Sequence, residues 1–196
     1  TEIYTLSLHD ALPISMNLPN KITVFRVILI PFFVVFMLCN IFGDADKYIA
    51  VSIFIIASLT DFVDGQLARR LNLITNFGKF MDPLADKLLV SSALLCLSGN
   101  LIPVWIVIII ISREFIISGF RLIASDKGVV IAAGIWGKVK TAVQMIMIIV
   151  LIIHIDDPLY HYLEYFLIYA SLVLTIVSLL DYLIKNSDVL SDDKDE

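Results

Sequence analysis

Apolar runs long enough to cross a lipid bilayer recur along most of this chain. A bilayer-spanning helix needs about 20 residues, because each residue of an α-helix adds about 1.5 Å along its axis. With 59% hydrophobic and 17% charged residues, the 196-residue sequence carries more apolar surface than a water-soluble domain of its size can bury. The predicted fold class is therefore all-α, a polytopic membrane protein with about six transmembrane helices. The predicted spans are residues 22–42, 47–71, 83–99, 101–124, 136–154 and 160–184.

The basic residues predict how these spans are oriented, since loops rich in Lys and Arg stay on the cytoplasmic side. If six spans alternate across the bilayer, Lys47 alone falls on the outer side, and the other thirteen of the 14 Lys and Arg residues lie on or toward the inner side. Both termini are then predicted to be cytoplasmic, together with the loops around residues 70–82 and 125–136. Residues 187–196, which end in SDDKDE, are predicted to form a disordered acidic tail.

The first fifteen residues, TEIYTLSLHDALPIS, do not have the basic start, apolar core and cleavage site of a signal peptide. They resemble the translated read-through of a sequencing adapter. Residues 1–15 are therefore interpreted as a non-native leader, and Met16, followed by NLPNKITVFR, as the natural start. The membrane domain is predicted to cover residues 16–186.

Four carboxylates lie in the segment DFVDGQLARRLNLITNFGKFMDPLAD, which runs from Asp61 to Asp86. On a helix that turns about 100° per residue, Asp61 and Asp64 project about 60° apart, and Asp82 and Asp86 project together. Counted back from Arg70 at the predicted helix end, Asp61 and Asp64 lie about 9–13 Å inside the membrane. An uncompensated carboxylate there costs at least about 2.5 kcal/mol, so these groups should line a wet cavity or bind cations.

A structural alternative accounts for part of this set. Asp82 followed by Pro83 is typical of a helix N-cap with proline at the first helical position, and nearby Lys and Arg residues could neutralise other carboxylates. Capping explains only one acid of the four. Binding of a divalent metal is therefore the favoured interpretation.

The spacing D-x2-D-G-x2-A-R-x8-G-x3-D-x3-D is complete in this segment. It resembles the signature of the CDP-alcohol phosphatidyltransferases, and the resemblance covers about residues 16–186. Its fixed positions are Asp61, Asp64, Gly65, Ala68, Arg69, Gly78, Asp82 and Asp86.

The resemblance implies a metal-dependent reaction on CDP-diacylglycerol. It assigns Asp61, Asp64 and Asp82 as ligands of one or two Mg2+ or Mn2+ ions that bridge the diphosphate of that lipid. It assigns Asp86 as the general base and as a further metal contact. Carboxylate oxygens are the ligands that these cations prefer.

The resemblance also implies where CDP-diacylglycerol binds. Arg69 would contact the diphosphate, although an interfacial anchor is the alternative for this residue. The cytidine diphosphate would approach the backbone at small residues, whose alternative role is close helix packing. These small residues are Gly65, Ala68 and Gly78. The start NLPNKITVFR is similar to that of the family as well, which places three residues near the cytidine: Asn20, Thr23 and Arg26.

A second polar group interrupts the predicted fourth and fifth spans. Arg113, Glu114 and Arg121 lie in SREFIISGFR, and Lys138 and Lys140 lie in GKVKT at the start of the fifth span. Glu114 and Arg121 share a helix face within about 20°, and lysines near a helix N-terminus add to a potential anion site. The alternatives are snorkelling of the arginines to the interface and anchoring of the lysines on the cytoplasmic side.

The stretches REFIISGFRLIASDKGVVIAAG and GKVKTAVQ look like those of family members whose acceptor is sn-glycerol 3-phosphate. The resemblance thus implies transfer of the phosphatidyl group of CDP-diacylglycerol to that acceptor, giving phosphatidylglycerophosphate and CMP. The acceptor phosphate would bind Arg113, Arg121, Lys138 and Lys140. Inositol phosphate, serine and phosphatidylglycerol are alternative acceptors. A cation transporter is the alternative from another class, but its site would be expected near the midplane between repeated halves.

The resemblance implies a homodimer, because members of the family are commonly homodimers. We expect the protein to lie among the lipids of a bacterial-type cytoplasmic membrane, with its active site facing the cytoplasm and without a nucleic-acid partner. His154 and His161 fall on the predicted outer side, far from the aspartates, and are given no role. The nearby Tyr160, Tyr162 and Tyr165 fit an aromatic belt at the membrane interface.

Overall fold

A computed structural model of the protein describes residues 18–71, 76–126 and 134–186. Within these ranges, the description does not extend to the side chains of residues 18–20, 61–80, 82, 83, 122, 123, 125 and 126.

The described residues form six α-helices, which confirms the predicted all-α class. The apolar character of each predicted span explains the helices, because a backbone in lipid must satisfy its hydrogen bonds within its own segment. Pro31 lies inside the first helix without ending it. The helices are α1 Leu18–Leu38, α2 Ala45–Leu71, α3 Asn76–Leu97, α4 Val104–Asp126, α5 Ile135–Ile153 and α6 Pro158–Lys185.

The largest difference from the predicted boundaries is at the start of α3. This helix begins at Asn76 rather than at residue 83, and α2 continues to Leu71, so most of the predicted loop 70–82 is helical. Asp82 and Pro83 therefore lie inside α3, and the interpretation of Asp82 as an N-cap is wrong. Proline favours the first helical turn but does not require it, because neighbouring groups in a membrane helix can satisfy the carbonyl that proline leaves free.

The helices pack around a shared apolar core. α1 lies against α2 and α3, α5 lies against α6 and α2, and α4 packs on α6. The inner face of α1 shows how the sequence directs this packing, since Thr23, Arg26, Ile30 and Phe33 recur at three- and four-residue intervals and all four are buried. Polar residues thus occupy the inner face at the start of α1, and apolar residues occupy it farther along.

The outer surface of the bundle is apolar over much of its area. Leu159 and Ile184, near the two ends of α6, are 78% and 75% exposed. Among the described residues, Lys21–Leu38, Ile135–Ile153 and Pro158–Lys185 are long and apolar enough to cross a membrane. An all-helical chain with such a surface is a membrane protein, because lipid rather than water can cover these side chains.

Candidate active site

A small polar cavity of about 30 Å3 lies between α3, α4 and α5. Helices α3 and α5 each contribute residues that recur three or four positions apart, which places them on one face of the helix, and α4 contributes Glu114. The carboxylate of Asp86, the predicted general base, is half-buried at this cavity. The lining residues are Asp86, Lys87, Val90, Ser91 and Leu94 from α3, Glu114 from α4, and Lys140, Thr141, Gln144 and Met145 from α5.

An ion-paired trio joins α4 to α5 beside the cavity. Lys140 is only 1% exposed, and its Nζ donates a hydrogen bond to Oε1 of Glu114. Nη1 of Arg113 donates to the same oxygen at 3.3 Å. Two cations thus share one carboxylate, which leaves the trio with a net positive charge where an anionic ligand can be held.

Arg113 has a further donor available. Its Nε is buried, and no group in the described part of the chain accepts a hydrogen bond from it. The guanidinium lies against the first turn of α5, since a Cβ built on Gly137 would be 3.7 Å from Nη2. Arg113 is therefore fixed by Glu114 on one side and by α5 on another, while its Nε–H has no acceptor among the described residues.

Gln144 adds a neutral polar group to the cavity wall. It follows Lys140 by four residues, so both side chains lie on the same face of α5. Its side chain is 2% exposed. Within the described ranges, neither Oε1 nor Nε2 of this amide has a hydrogen-bond partner.

The predicted acceptor residues divide into two pairs. Arg113 and Lys140 are buried and meet at Glu114, whereas Arg121 and Lys138 are exposed and do not line the cavity. The backbone N–H of Lys138 is not available to an anion, because it already donates to the carbonyl of Gly134 at 3.3 Å.

Most of the predicted donor and metal residues can be placed only by their backbone. Five of these residues lie on α2, and Gly78 and Asp82 lie on α3. Their side chains, like that of Asn20 in α1, lie outside the described part. Thr23 is described and is buried on the inner face of α1. The residues on α2 are Asp61, Asp64, Gly65, Ala68 and Arg69.

The aspartate set still fits a hard divalent cation by its chemistry. Asp61 and Asp64 lie on one uninterrupted helix, Asp82 and Asp86 lie on the next, and these two helices pack against each other. All four offer carboxylate oxygens, which Mg2+ and Mn2+ prefer to nitrogen or sulfur. The only member of this set whose side chain is described, Asp86, is partly accessible at the cavity.

Sequence reasoning missed two features of the cavity. It grouped Glu114 with Arg121, whereas the structure pairs Glu114 with Arg113 and Lys140. It also left Gln144 without a role, although the four-residue spacing from Lys140 placed both on one helix face. Only the tertiary structure shows that this face of α5 lies toward Glu114, through the hydrogen bond from Lys140.

A separate cluster of possible metal ligands lies at the other end of α5. Nδ1 of His154 is 2.7 Å from Oε1 of the buried Glu164, and Nδ1 of His161 is 3.1 Å from Oε2. Since His154 follows Lys140 by fourteen residues, this cluster is about 20 Å from the polar cavity. The larger open pocket nearby, about 670 Å3, is lined mainly by apolar and tyrosine side chains. Neither belongs to the site around Asp86.

Residues 16–177 match the family described as CDP-alcohol phosphatidyltransferase. The chain belongs to this family. The matched range contains both the aspartate segment and all three helices that form the polar cavity. The protein is therefore a membrane-bound transferase, and its family membership agrees with the resemblance carried by the aspartate motif.

Several curated relatives within the family are similar over most of their length. A Bacillus subtilis protein named CDP-diacylglycerol--glycerol-3-phosphate 3-phosphatidyltransferase is 52% identical over 149 residues, which cover 70% of this chain and 77% of the relative. A Haemophilus influenzae protein of the same name is 40% identical over 178 residues, covering 85% and 91%. A Mycobacterium tuberculosis protein named probable phosphatidylglycerophosphate synthase is 38% identical over 173 residues, covering 85% and 79%.

Proposed function

We propose that this protein transfers the phosphatidyl group of CDP-diacylglycerol to sn-glycerol 3-phosphate, giving phosphatidylglycerophosphate and CMP. The relatives at 52% and 40% identity are named for this reaction. The structural observation that carries the proposal is the cavity between α3, α4 and α5. Asp86, Glu114 and Lys140 line this cavity, and Arg113 is paired with Glu114, which supports a proton acceptor next to a site for an anionic acceptor.

In this reaction Asp86 removes the proton from the primary hydroxyl of glycerol 3-phosphate. The hydroxyl oxygen forms a bond to the phosphorus of the phosphatidyl group as the bond from that phosphorus to the bridging oxygen breaks. CMP leaves with the electron pair of the broken bond. A positioned general base of this kind contributes about 10²- to 10⁴-fold to the rate.

Asp61, Asp64 and Asp82 would hold Mg2+ or Mn2+, with Asp86 as a further contact. Such ions neutralise charge on the diphosphate and make CMP a better leaving group. The lipid donor would lie near Arg69 and the small residues of the motif, which are Gly65, Ala68 and Gly78. Asn20 and Thr23 would lie near the cytidine.

The cations contributed by α4 and α5 would bind the phosphate of the acceptor. Arg113 adjoins the cavity through Glu114, and its buried Nε is unpaired within the described residues. Lys140 adds charge from the wall of the cavity. Lys138 and Arg121, which are exposed, would act at the approach to the cavity. A serine acceptor has no phosphate to use these cations, which favours a phosphorylated alcohol.

The proposal extends to the arrangement in the membrane. All six helices would cross a bacterial cytoplasmic membrane, with both termini and the active site on the cytoplasmic side, and two copies would form a homodimer. Residues 1–15, predicted to be a non-native leader, and residues 187–196, predicted to form an acidic tail, lie outside the described residues. The distribution of Lys and Arg supports this orientation.

The experiment that tests this function measures CMP release by the purified full chain in lipid–detergent micelles containing CDP-diacylglycerol and Mg2+ or Mn2+. Parallel reactions contain glycerol 3-phosphate, inositol phosphate, serine or phosphatidylglycerol, and Asp86→Asn serves as the matched control. We expect metal-dependent release that glycerol 3-phosphate stimulates most. Greater stimulation by another acceptor would reject the assigned acceptor, and no CMP with any of them would favour the cation transporter.

A further inference from the structure

We propose that Gln144 recognises the secondary hydroxyl of the acceptor and thereby makes the enzyme selective for glycerol 3-phosphate over alcohol phosphates without that hydroxyl. This inference rests on the function proposed above and extends it to one specificity-determining residue. The four cations of the acceptor region can attract any small phosphorylated alcohol. Selection among such alcohols needs a group that contacts the carbon chain and its hydroxyls.

The amide of Gln144 is unsatisfied within the described residues. Gln144 is 2% exposed, and both polar atoms of its amide have no partner within the described residues. Buried polar groups are nearly always hydrogen-bonded, because each one left without a partner is destabilising. An apolar side chain of the same shape would avoid that cost at this position. A ligand that enters the cavity and pairs with the amide accounts for the glutamine.

The cavity is small. Its volume of about 30 Å3 admits about two water-sized groups, such as two hydroxyls, rather than a whole sugar or lipid headgroup. The end of the acceptor that carries the alcohol groups therefore enters it, while the phosphate stays with the cations beside it. Asp86 lines the same cavity, so the hydroxyl that reacts and the hydroxyl that is recognised enter together.

The donor and acceptor of the amide match those of an alcohol. An alcohol both donates and accepts hydrogen bonds, and a glutamine side chain offers a carbonyl acceptor and an NH2 donor. A phosphate dianion only accepts, so it would leave Oε1 of Gln144 unpaired. Because the two hydroxyls of glycerol 3-phosphate are on adjacent carbons, an amide close to Asp86 is suited to the secondary hydroxyl when the primary one faces the base.

The test is a cycle of two enzymes and two acceptors. Wild type and Gln144→Met are assayed for CMP release at saturating CDP-diacylglycerol, with sn-glycerol 3-phosphate or with 3-hydroxypropyl phosphate, which has no secondary hydroxyl. Methionine is unbranched and of similar length, so it fills the space without the amide. We expect wild type to favour glycerol 3-phosphate by about ten- to a hundredfold in kcat/KM. Gln144→Met should reduce this preference to within about threefold.

Thr141→Val is the matched control in the same cavity. The Thr141 hydroxyl already donates to the carbonyl of Gly137 at 3.0 Å, so its removal should leave the preference between the two acceptors unchanged. A second variant, Gln144→Glu, keeps an acceptor atom at the position and should retain part of the preference. The Tm of Gln144→Met without substrate should equal or exceed that of wild type, because an unpaired buried amide has been removed.

Four results would overturn the inference. The first is equal use of both acceptors by wild type. The second is an equal loss with both acceptors in Gln144→Met, which would assign the residue a structural or positioning role. The third is no CMP release with glycerol 3-phosphate by wild type, which would reject the proposed function itself. Release with glycerol 3-phosphate but an unchanged ratio in Gln144→Met would reject the role of Gln144 alone.

Discussion

Replacement of Glu114 by glutamine tests whether the buried ion pair with Lys140 stabilises the fold as the structure indicates. Lys140 is 1% exposed and its Nζ donates to Oε1 of Glu114. Glu114→Gln keeps an oxygen that can accept this hydrogen bond but removes the charge that compensates the ammonium. Removing one partner of a buried pair costs about 3–5 kcal/mol, and the retained hydrogen bond places this variant near the lower value.

Substitution of Lys140 should lower the free energy of unfolding less than substitution of Glu114. In Lys140→Met, the remaining carboxylate keeps Arg113 at 3.3 Å and is 22% exposed, so it retains both a counter-ion and solvent. The double variant Glu114→Gln/Lys140→Met should then be more stable than Glu114→Gln alone, because the uncompensated ammonium is gone. Together with wild type, these three variants form a double-mutant cycle that measures the interaction energy between the two side chains.

Thermal unfolding in detergent, followed by the fluorescence of Trp105 and Trp136, measures these differences. For a chain of this size, about 3 kcal/mol corresponds to a fall in Tm of roughly 6–12 °C, at about 2–4 °C per kcal/mol. Lys140→Met should lower the Tm by less than half of that amount. If Glu114→Gln were as stable as Lys140→Met, or if the double variant were the least stable, the ion pair would not stabilise this region as argued.

Four further predictions concern the reaction and the topology. Asp86→Asn should lower kcat by about 10²- to 10⁴-fold and should raise the metal concentration for half-maximal activity less than Asp64→Asn does, and CMP release over a metal titration measures both. Asp64→Asn should nearly abolish turnover and raise the required metal concentration, since an amide cannot replace a carboxylate on a hard cation; near-normal rates would remove it from the metal site. Lys138→Ala should raise the KM for glycerol 3-phosphate about tenfold and leave that for CDP-diacylglycerol less affected, whereas an effect on the lipid alone would assign Lys138 to the donor. Asn186→Cys, in a background without the native cysteines, should react with a membrane-impermeant thiol reagent only when the cytoplasmic face is open, and labelling of intact cells would reverse the orientation.

The sequence predicted the helices well because lipid allows few alternatives for a polar backbone. All six predicted spans correspond to helices. The main error was at α3, where Pro83 was interpreted as a helix start although the helix begins at Asn76. Proline prefers the first turn of a helix, but α3 starts a full seven residues before Pro83, and the packing of the helix in the protein outweighed this local preference.

The candidate site could be predicted in part. Asp86, Arg113 and Lys140 were all selected from the sequence, and the structure brings them to the polar cavity or beside it. Lys138 and Lys140 could not be distinguished, because they lie two residues apart in the same GKVKT segment. The rotation of α5 decides between them, since it buries Lys140 against Glu114 and leaves Lys138 exposed.

The sequence by itself determined the class of the protein and the identity of its acidic motif, because apolar length and fixed carboxylate spacing are local properties of the chain. The association of Glu114 with Lys140, 26 residues apart, was decided only by the tertiary structure. So was the burial of Gln144 without a hydrogen-bond partner in the described residues. The physical reason is that both features depend on how three helices pack, and a helix does not encode in its own sequence which neighbour covers each of its faces.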